Sequence, residues 1–304
     1  MKEYPFEVKE MANNKKRKIR YDRLILIILG AIAVIGAIVL LFIVLFVPNQ
    51  KEKPKEDPEV IVEKTPYEEF YFYNKSNHER YVAYYELHPE YSYEEVVWHV
   101  NSNLDKEFYS EITTISDFNT VPLLVNKYYA LPSDYVPPNL VTIEGDRRMD
   151  ADAYEAFKEM KVAAAEEGYT LTIVSAYRSY SYQENLYNNY LSKYNNDQAQ
   201  VDTFSARAGH SEHQTGLAID ICGANGDYMK FEGTDEQKWV AEHAHEYGFI
   251  VRYGEDIVDQ TGYKYEPWHL RYVGVKIATF MKENNIRTLE EYVIKYVEYH
   301  EGIK

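Results

Sequence analysis

The sequence predicts an α+β protein, because helical and strand patterns alternate irregularly along most of its 304 residues. Apolar residues recur at three- and four-residue intervals over 150–167, which is typical of an amphipathic helix. Short alternating or apolar runs over 171–176 and 217–222 are typical of strands. These segments do not form regular strand–helix–strand units, and the sequence contains no internal repeat and no glycine-rich phosphate loop.

The N-terminal region contains the most apolar segment of the chain. Residues 24–47 are 24 residues without a charge. As a helix they would extend about 36 Å, enough to cross a hydrocarbon core of about 30 Å. A buried core helix is the alternative, but an apolar run of this length suits it poorly. Because no small-residue cleavage site follows, we expect an uncleaved signal anchor.

Charge predicts the orientation of this anchor. Residues 1–23 carry eight Lys/Arg and four Asp/Glu, a net charge of +4, so we expect a cytoplasmic basic tail and an extracellular body in a single-pass cell-membrane protein. The whole chain is −16, which leaves −20 for residues 24–304 and argues against nucleic-acid binding. Cys222 is the only cysteine, so an intramolecular disulfide is excluded. We expect it to be a buried apolar residue rather than a nucleophile.

Three segments are predicted beyond the anchor. Residues 48–66 are charged and interrupted by proline, which indicates an extracellular linker. Residues 67–121 are predicted to form a membrane-proximal helical collar with helices over 78–87 and 93–104, the second capped by Ser92 with Glu95. Residues 122–304 are predicted to form the functional domain. Its predicted strands are 171–176, 217–222 and 249–253, and its predicted helices are 150–167, 181–194, 235–247, 272–284 and 289–299.

Two short segments carry the residue types of a metal site. The first is SEHQTGLAID, residues 211–220, and the second is EPWH, residues 266–269. They offer His213, Asp220 and His269 as ligands for Zn²⁺, and Glu266 as a base. A catalytic zinc site uses three protein ligands, an open position for water and a group that accepts the proton of that water. The two segments therefore predict a zinc hydrolase.

Local sequence also predicts how these residues approach each other. Gly216 and the apolar residues 217–221 favour a loop that leads into a strand. Pro267 makes a regular helix over 266–269 unlikely to form, so we expect a turn that directs Glu266 and His269 into one pocket.

Other polar residues give alternative sites. His243 and His245 have the i, i+2 spacing of a strand chelate, but their segment is predicted to be helical, where side chains two apart diverge. His210 could compete as a metal ligand. A role in the pocket, or in contact with the ligands without binding the metal itself, is preferred. Ser211 could be a nucleophile with His213 and Asp220, but that arrangement leaves Glu266 and His269 unused.

The same segments resemble the VanY-type D-alanyl-D-alanine carboxypeptidases, in the wider group of lysostaphin-like peptidases and hedgehog domains. The resemblance covers about residues 122–280 and includes LVNKYYALPSDYVPPNL (124–140), SAYRSYSYQ (175–183) and GFIVRYG (248–254). It implies a small central antiparallel sheet with flanking helices, Zn²⁺ on His213, Asp220 and His269, and Glu266 as the catalytic base. It further implies that Arg178 stabilises the oxyanion or binds the substrate carboxylate, and that Gln183, Ser211 and Tyr253 line the pocket. The sequence departs from the family at Ala208-Gly209-His210, where His210 is expected to alter the pocket rim.

The resulting hypothesis is a membrane-anchored zinc carboxypeptidase that removes the terminal D-alanine of peptidoglycan stem peptides, with D,D and L,D specificity both open. A peptidoglycan endopeptidase and a non-catalytic zinc-containing cell-wall-binding module are the alternatives. Retention of Glu266 favours an enzyme over a binding module.

Overall fold

A computed structural model describes residues 7–46 and 65–298, so the predicted linker, 48–66, lies almost entirely outside the described residues. The chain divides into two units, residues 1–63 and 64–304. The described part of the first unit is one helix, α1 (Glu7–Phe46). Its segment Arg23–Phe42 has a mean hydropathy of 3.3, and it is the one described helix that is long and apolar enough to cross a membrane.

The second unit begins with two helices, α2 (His78–Leu87) and α3 (Tyr93–Asn101). Ser92 caps α3, and Glu95 closes the predicted capping box by accepting a hydrogen bond from the Ser92 amide. The helix ends three residues before the predicted Leu104. The two helices enclose an aromatic core with Tyr81 and Trp98, which Ile294 joins from the other end of the chain. Residues 67–121 thus belong to the same compact unit as the predicted functional domain, and their boundary stays a prediction.

Two small strand pairs lead into the main body. The parallel pair is β1 (Thr113–Thr114) with β2 (Tyr129–Ala130), and the antiparallel pair is β3 (Leu140–Thr142) with β4 (Arg148–Asp150). Helix α4 (Ala151–Glu166) follows β4 and matches the amphipathic pattern of the sequence. Asp150 caps this helix by accepting hydrogen bonds from the amides of Asp152 and Ala153.

The remaining elements build one sheet and its flanking helices. In chain order they are β5 (Thr172–Ser175), α5 (Tyr180–Lys193), α6 (Gln198–Asp202), β6 (Ala218–Cys222), α7 (Asp235–His243), β7 (Phe249–Tyr253), α8 (Val258–Thr261), β8 (Glu266–Tyr272), α9 (Val275–Glu283) and α10 (Leu289–Val293). The sheet has the order β5-β6-β8-β7, and every neighbouring pair is antiparallel. The mixed α and β class predicted from the sequence is confirmed.

The main core lies between this sheet and the helices α4 and α7. Phe157, Ile219, Phe249 and Leu270 are at most 2% exposed there. Cys222 is buried and free, as expected. Burying the apolar faces of these elements is the main contribution that holds the sheet rigid, and the sheet is the scaffold for the polar residues described next.

Three predicted elements differ in detail. The segment 235–247 is α-helical only to His243 and continues as a 3₁₀ turn that Gly248 ends with a φ of 80°. Helix α10 ends at Val293, followed by a π-helical turn over Ile294–Glu298. The predicted turn over 266–269 is wrong, because Glu266 begins strand β8. Pro267 is tolerated within this strand because the pairing with β7 is irregular at that point.

Candidate metal centre and active-site cavity

The three predicted ligands come from two neighbouring strands and the turn before one of them. Asp220 in β6 lies directly opposite His269 in β8. His213 lies in the 3₁₀ turn Glu212–Thr215, which leads into β6. Gly216 allows this bend, because it has a φ of 74° and a Cβ there would lie 2.8 Å from Leu140 Cδ2.

The donor atoms of these residues converge. His213 Nε2 lies 3.3 Å from Asp220 Oδ2, and His269 Nδ1 lies 3.3 Å from Asp220 Oδ1. One ligand atom from each residue lies within 4.8 Å of the others, and all three residues are buried. In the described ranges 7–46 and 65–298, this is the one group of three such residues that could hold a metal ion.

The outer nitrogen of each imidazole has an acceptor. His213 Nδ1 lies 2.8 Å from the carbonyl oxygen of Ala176, and His269 Nε2 lies 3.3 Å from Glu212 Oε2. An acceptor at one ring nitrogen fixes the N–H there and leaves the lone pair of the other nitrogen free. Both inner nitrogens face Asp220, so two imidazole nitrogens and one carboxylate oxygen converge, a donor set that suits zinc with one position left open.

Glu212 is a site residue that the sequence did not reveal. Its Oε1 accepts hydrogen bonds from Arg252 Nε at 2.8 Å and Arg271 Nη1 at 3.0 Å, while its Oε2 faces His269. Although complete burial opposes ionisation, the two guanidinium groups hold the pKa of Glu212 far below its usual range. In the sequence, only its position next to His213 indicates that Glu212 could belong to the site. The buried carboxylate orients His269, and the two arginines hold the carboxylate in place.

Glu266 lies beside the ligands rather than among them. Its Oε2 is 3.8 Å from His269 Nδ1. In a regular strand two residues three apart point to opposite faces. Here the β7–β8 register shifts between Val251 and Tyr253, and both side chains reach the same place. Burial, with a contribution from Asp220, raises the pKa of Glu266 to about 7, a value suited to a general base near neutrality.

Arg178 follows strand β5 and reaches the same point. Its Nη2 lies 2.5 Å from Asp220 Oδ2, and its Nε donates to Ser175 Oγ at 3.0 Å. The Arg178 side chain is 19% exposed and pairs with a candidate ligand, so it is part of the centre.

A cavity of 480 Å³ contains this centre. The residues predicted to act on substrate all line it: Arg178, Gln183, Ser211, Tyr253 and Glu266. Gln183 is oriented by a hydrogen bond of 2.8 Å to the carbonyl oxygen of Ala206, and the Tyr253 ring centroid lies 4.8 Å from that of His269. The lining also includes the aromatic side chains of Tyr190, Phe204, Tyr228 and Trp268. A pocket of this size with convergent polar groups is the usual form of a small-ligand site.

Residues 146–275 match the sequence profile of VanY, D-alanyl-D-alanine carboxypeptidase. The Bacillus subtilis (strain 168) protein with the name "Putative carboxypeptidase YodJ" is 40% identical in an alignment over 211 residues that covers 64% of this chain and 76% of that protein. The chain belongs to the VanY family. A D-alanyl-D-alanine carboxypeptidase of Enterococcus faecium is 35% identical over 185 residues, or 56% of each chain.

Solved structures of VanY-like proteins have the same fold. The LdcB LD-carboxypeptidase superposes with a TM-score of 0.56 at 40% identity, covering 62% of this chain and 92% of that one. VanYB in complex with D-alanine-D-alanine has a TM-score of 0.52 at 30% identity, covering 57% and 97%. A glutamate-to-alanine variant of a VanY D,D-pentapeptidase in complex with Zn(II) has a TM-score of 0.51 at 31% identity, covering 56% and 97%.

The alternative histidines of this VanY-family chain lie away from the candidate centre. His243 Nδ1 contacts Glu246, and His245 Nδ1 contacts Thr279, so they do not face a common point. His210 is buried against the carbonyl oxygen of Asn126 and the ring of Tyr109, and it is not part of the cavity lining. The expectation that His210 shapes the pocket rim is therefore wrong.

The serine-nucleophile alternative also lacks support in the geometry. Ser211 lines the cavity. However, His213 directs one ring nitrogen to Ala176 and the other to Asp220, so neither accepts the Ser211 hydroxyl. An imidazole engaged on both sides cannot activate that serine.

The electrostatics of the centre favour a bound cation. Burial, and the nearby charge of Arg178, lower the pKa of His213 to about 4, so this imidazole is neutral. Burial also opposes a charge on His269, yet the carboxylates of Asp220 and Glu212 raise its pKa to about 9. The two carboxylates therefore attract positive charge at the inner nitrogen of His269, the place where a metal ion would lie.

Proposed function

We propose that this protein is a membrane-anchored, zinc-dependent carboxypeptidase that removes the C-terminal D-alanine from peptidoglycan stem peptides. One observation carries the proposal: the donor atoms of His213, Asp220 and His269 converge beside the buried carboxyl group of Glu266, within a cavity that Arg178 also lines. This arrangement provides the ligands, the base and the anion-binding group of a metal-dependent carboxypeptidase.

His213, Asp220 and His269 would hold the zinc ion. Bound there, zinc would supply Lewis acidity that activates water and polarises the scissile carbonyl group. Glu266 takes a proton from the attacking water as the oxygen–carbon bond forms, and it delivers that proton to the amide nitrogen as the carbon–nitrogen bond breaks. A pKa of about 7 allows Glu266 both to accept and to release the proton near neutral pH. The products are a shortened peptide with a new carboxylate and free D-alanine.

Arg178 and three cavity residues position the substrate. The guanidinium group is a planar donor that stays charged, and it can bind the terminal carboxylate of the substrate or the developing oxyanion. Gln183, Ser211 and Tyr253 supply further polar contacts on the same cavity wall. Because both pentapeptide and tetrapeptide stems end in D-alanine, these groups suit D,D and L,D cleavage alike. Relatives named for D-alanyl-D-alanine and for LD activity both support the terminal residue as the common feature.

The proposed location is the outer face of the cell membrane. The apolar segment of α1 supports a single-pass anchor, and the basic residues before it support a cytoplasmic N-terminus. The body would then act on the cell wall near the membrane.

The test is release of D-alanine from defined pentapeptide and tetrapeptide stems by the full-length protein in detergent, with and without added zinc. Glu266→Gln keeps the size of the side chain and removes the base, and we expect a loss of kcat of about 10²–10⁴-fold. Glu255→Gln, an exposed position in the 3₁₀ turn after β7, is the matched control and should retain activity. Unchanged release by Glu266→Gln, or no D-alanine from either peptide with zinc present, would contradict the proposal. Cleavage at an internal bond would support the endopeptidase instead.

A further inference from the structure

A buried lysine lies where the collar meets the segment 124–140. Lys127 is 2% exposed, and its Nζ lies 5.3, 4.8 and 4.0 Å from the ring centroids of Phe108, Tyr109 and Tyr263. The ammonium group donates one hydrogen bond, to the carbonyl oxygen of Asp202 at 2.6 Å. Because this ammonium group is desolvated and has one hydrogen-bond acceptor, cation–π interactions with the three rings stabilise its charge. We call Lys127 and these three rings the aromatic cage.

The collar side of the aromatic cage is held firmly. Tyr109 has a φ of 63°, in the left-handed region that a bulky residue rarely adopts. The guanidinium carbon of Arg207 lies 4.0 Å from the Tyr109 ring centroid, and Arg207 is fixed by an ion pair with Asp202 at 2.7 Å. The hydroxyl groups of Tyr109 and Tyr263 are 3.2 Å apart. Tyr109 is thus the direct link between the collar and Tyr263.

The aromatic cage leaves no spare volume beside Tyr263. At Gly262, a Cβ would lie 2.5 Å from Lys127 Cε and 2.8 Å from Phe108 Cε2. The backbone that leads into Tyr263 therefore packs directly on the lysine stem.

The other side of Tyr263 is the active-site cavity. Tyr263 lines the cavity, and its ring centroid is 4.7 Å from that of Tyr253. Tyr253 in turn lies against the candidate ligand His269. A shift of Tyr263 would therefore move the wall that faces the substrate.

We propose that Lys127 is a positioning residue, which together with Phe108 and Tyr109 of the collar holds Tyr263 and Tyr253 in place as the wall of the substrate cavity. The collar then supports the active site directly. The kinetic readout of this inference rests on the proposed function, whereas its structural readout does not.

The charge of Lys127 provides a distinctive signature. Burial, together with Arg207, lowers the pKa of Lys127 to about 8, against the opposing effect of Asp202. The other titratable groups that face it are Tyr109 and Tyr263, whose pKa values burial raises, and His210, whose pKa burial lowers. Between pH 7 and 9 most of the ammonium groups lose their proton, and with it the attraction to the rings.

The experiment measures kcat and KM for a D-alanine-ended peptide with the full-length zinc-loaded protein in detergent. Lys127→Met keeps the stem of the side chain and removes the charge, and Tyr109→Phe removes only the hydroxyl group that contacts Tyr263. We expect KM to rise on the order of tenfold in Lys127→Met and about threefold in Tyr109→Phe, with kcat within about twofold, because substrate positioning is lost while the reacting groups remain. The KM of the unmodified protein should rise from pH 7 to 9, whereas that of Lys127→Met should stay high throughout.

Two matched controls separate positioning from general stability. Lys158→Met removes an exposed lysine whose Nζ lies 5.3 Å from the Tyr154 ring on α4, and Tyr128→Phe removes a hydroxyl bond of 2.9 Å to the Lys106 carbonyl oxygen across the same junction. Both should leave KM unchanged. Amide hydrogen exchange over 258–266 should be faster in Lys127→Met than in either control.

Unchanged KM in both cage variants, or equal effects in the controls, would overturn the inference. If the unmodified protein releases no D-alanine, the proposed function is wrong. Amide hydrogen exchange then remains as the test of whether the aromatic cage holds Tyr263 in place. Unchanged exchange over 258–266 in Lys127→Met would then refute it.

Discussion

Replacing Glu212 by Gln is the most informative change among the residues that hold the candidate ligand His269 in place. The buried carboxylate contacts three cationic or N–H donors: Arg252, Arg271 and the outer nitrogen of His269. Glutamine has one carbonyl oxygen, so it can accept from the arginines or from His269 but not from both, and its NH₂ group must face a donor. The substitution should therefore disturb the orientation of His269.

Two magnitudes follow from this geometry. Loss of an outer acceptor of a ligand histidine reduces metal affinity by about 10–100-fold, or about 1.4–2.7 kcal/mol. Removing one partner from a buried ion pair costs about 3–5 kcal/mol, because Arg271 loses its carboxylate partner and Arg252 keeps only Glu290. The Glu212→Gln variant should thus bind zinc more weakly and unfold more easily.

The assay is competition of the metal-free protein with a chromophoric zinc chelator, together with urea unfolding without zinc. Glu290→Gln is the matched control: Glu290 is also buried and accepts from Arg252 at 2.7 Å, but it does not contact His269. It should lose stability and keep its zinc affinity within about twofold. Equal zinc affinities of Glu212→Gln and the unmodified protein would refute the reasoning.

Two further predictions concern the fold. Burial lowers the pKa of His99 in α3 to about 4. As the pH falls, the unfolded chain therefore binds a proton at this histidine near pH 6.5, before the folded protein does. The free energy of unfolding should be largest above pH 6.5 and should fall by about 3 kcal/mol as the pH drops to 4. Urea unfolding at several pH values should show a shallower slope in His99→Gln, and an identical slope would contradict the assignment. Gly216→Ala should lower the free energy of unfolding by at least about 1–2 kcal/mol, because the φ of residue 216 is 74° and the added Cβ would meet Leu140. A melting temperature equal to that of the unmodified protein would contradict this prediction.

Local patterns in the sequence predicted most of the elements. The apolar spacing of α4 and the caps Ser92 and Asp150 depend on residues within a few positions of each other, so a single sequence contains them. His213, Asp220 and His269 were recognisable because metal chemistry restricts their residue types. The structure brings the side chains of these three residues and of Glu266 close together.

The parts that could not be predicted depend on long-range pairing. The sequence predicts a turn at Glu266 where the structure has strand β8, because the irregular pairing of β8 with β7 is set by partners outside the segment. Glu212 and its arginines look like surface charges in the sequence, and only the fold shows that they are buried together. The aromatic cage joins Tyr109, Lys127 and Tyr263, which no local pattern relates.

The most direct test of the zinc centre is X-ray diffraction from zinc-loaded crystals at energies on either side of the zinc absorption edge. We expect one anomalous peak, bonded to His213 Nε2, His269 Nδ1 and a carboxylate oxygen of Asp220, with Glu266 beside it and metal–nitrogen distances of about 2.0–2.1 Å. A centre without a peak, a peak at His243 and His245, or a metal ligated directly by Glu266 would contradict it.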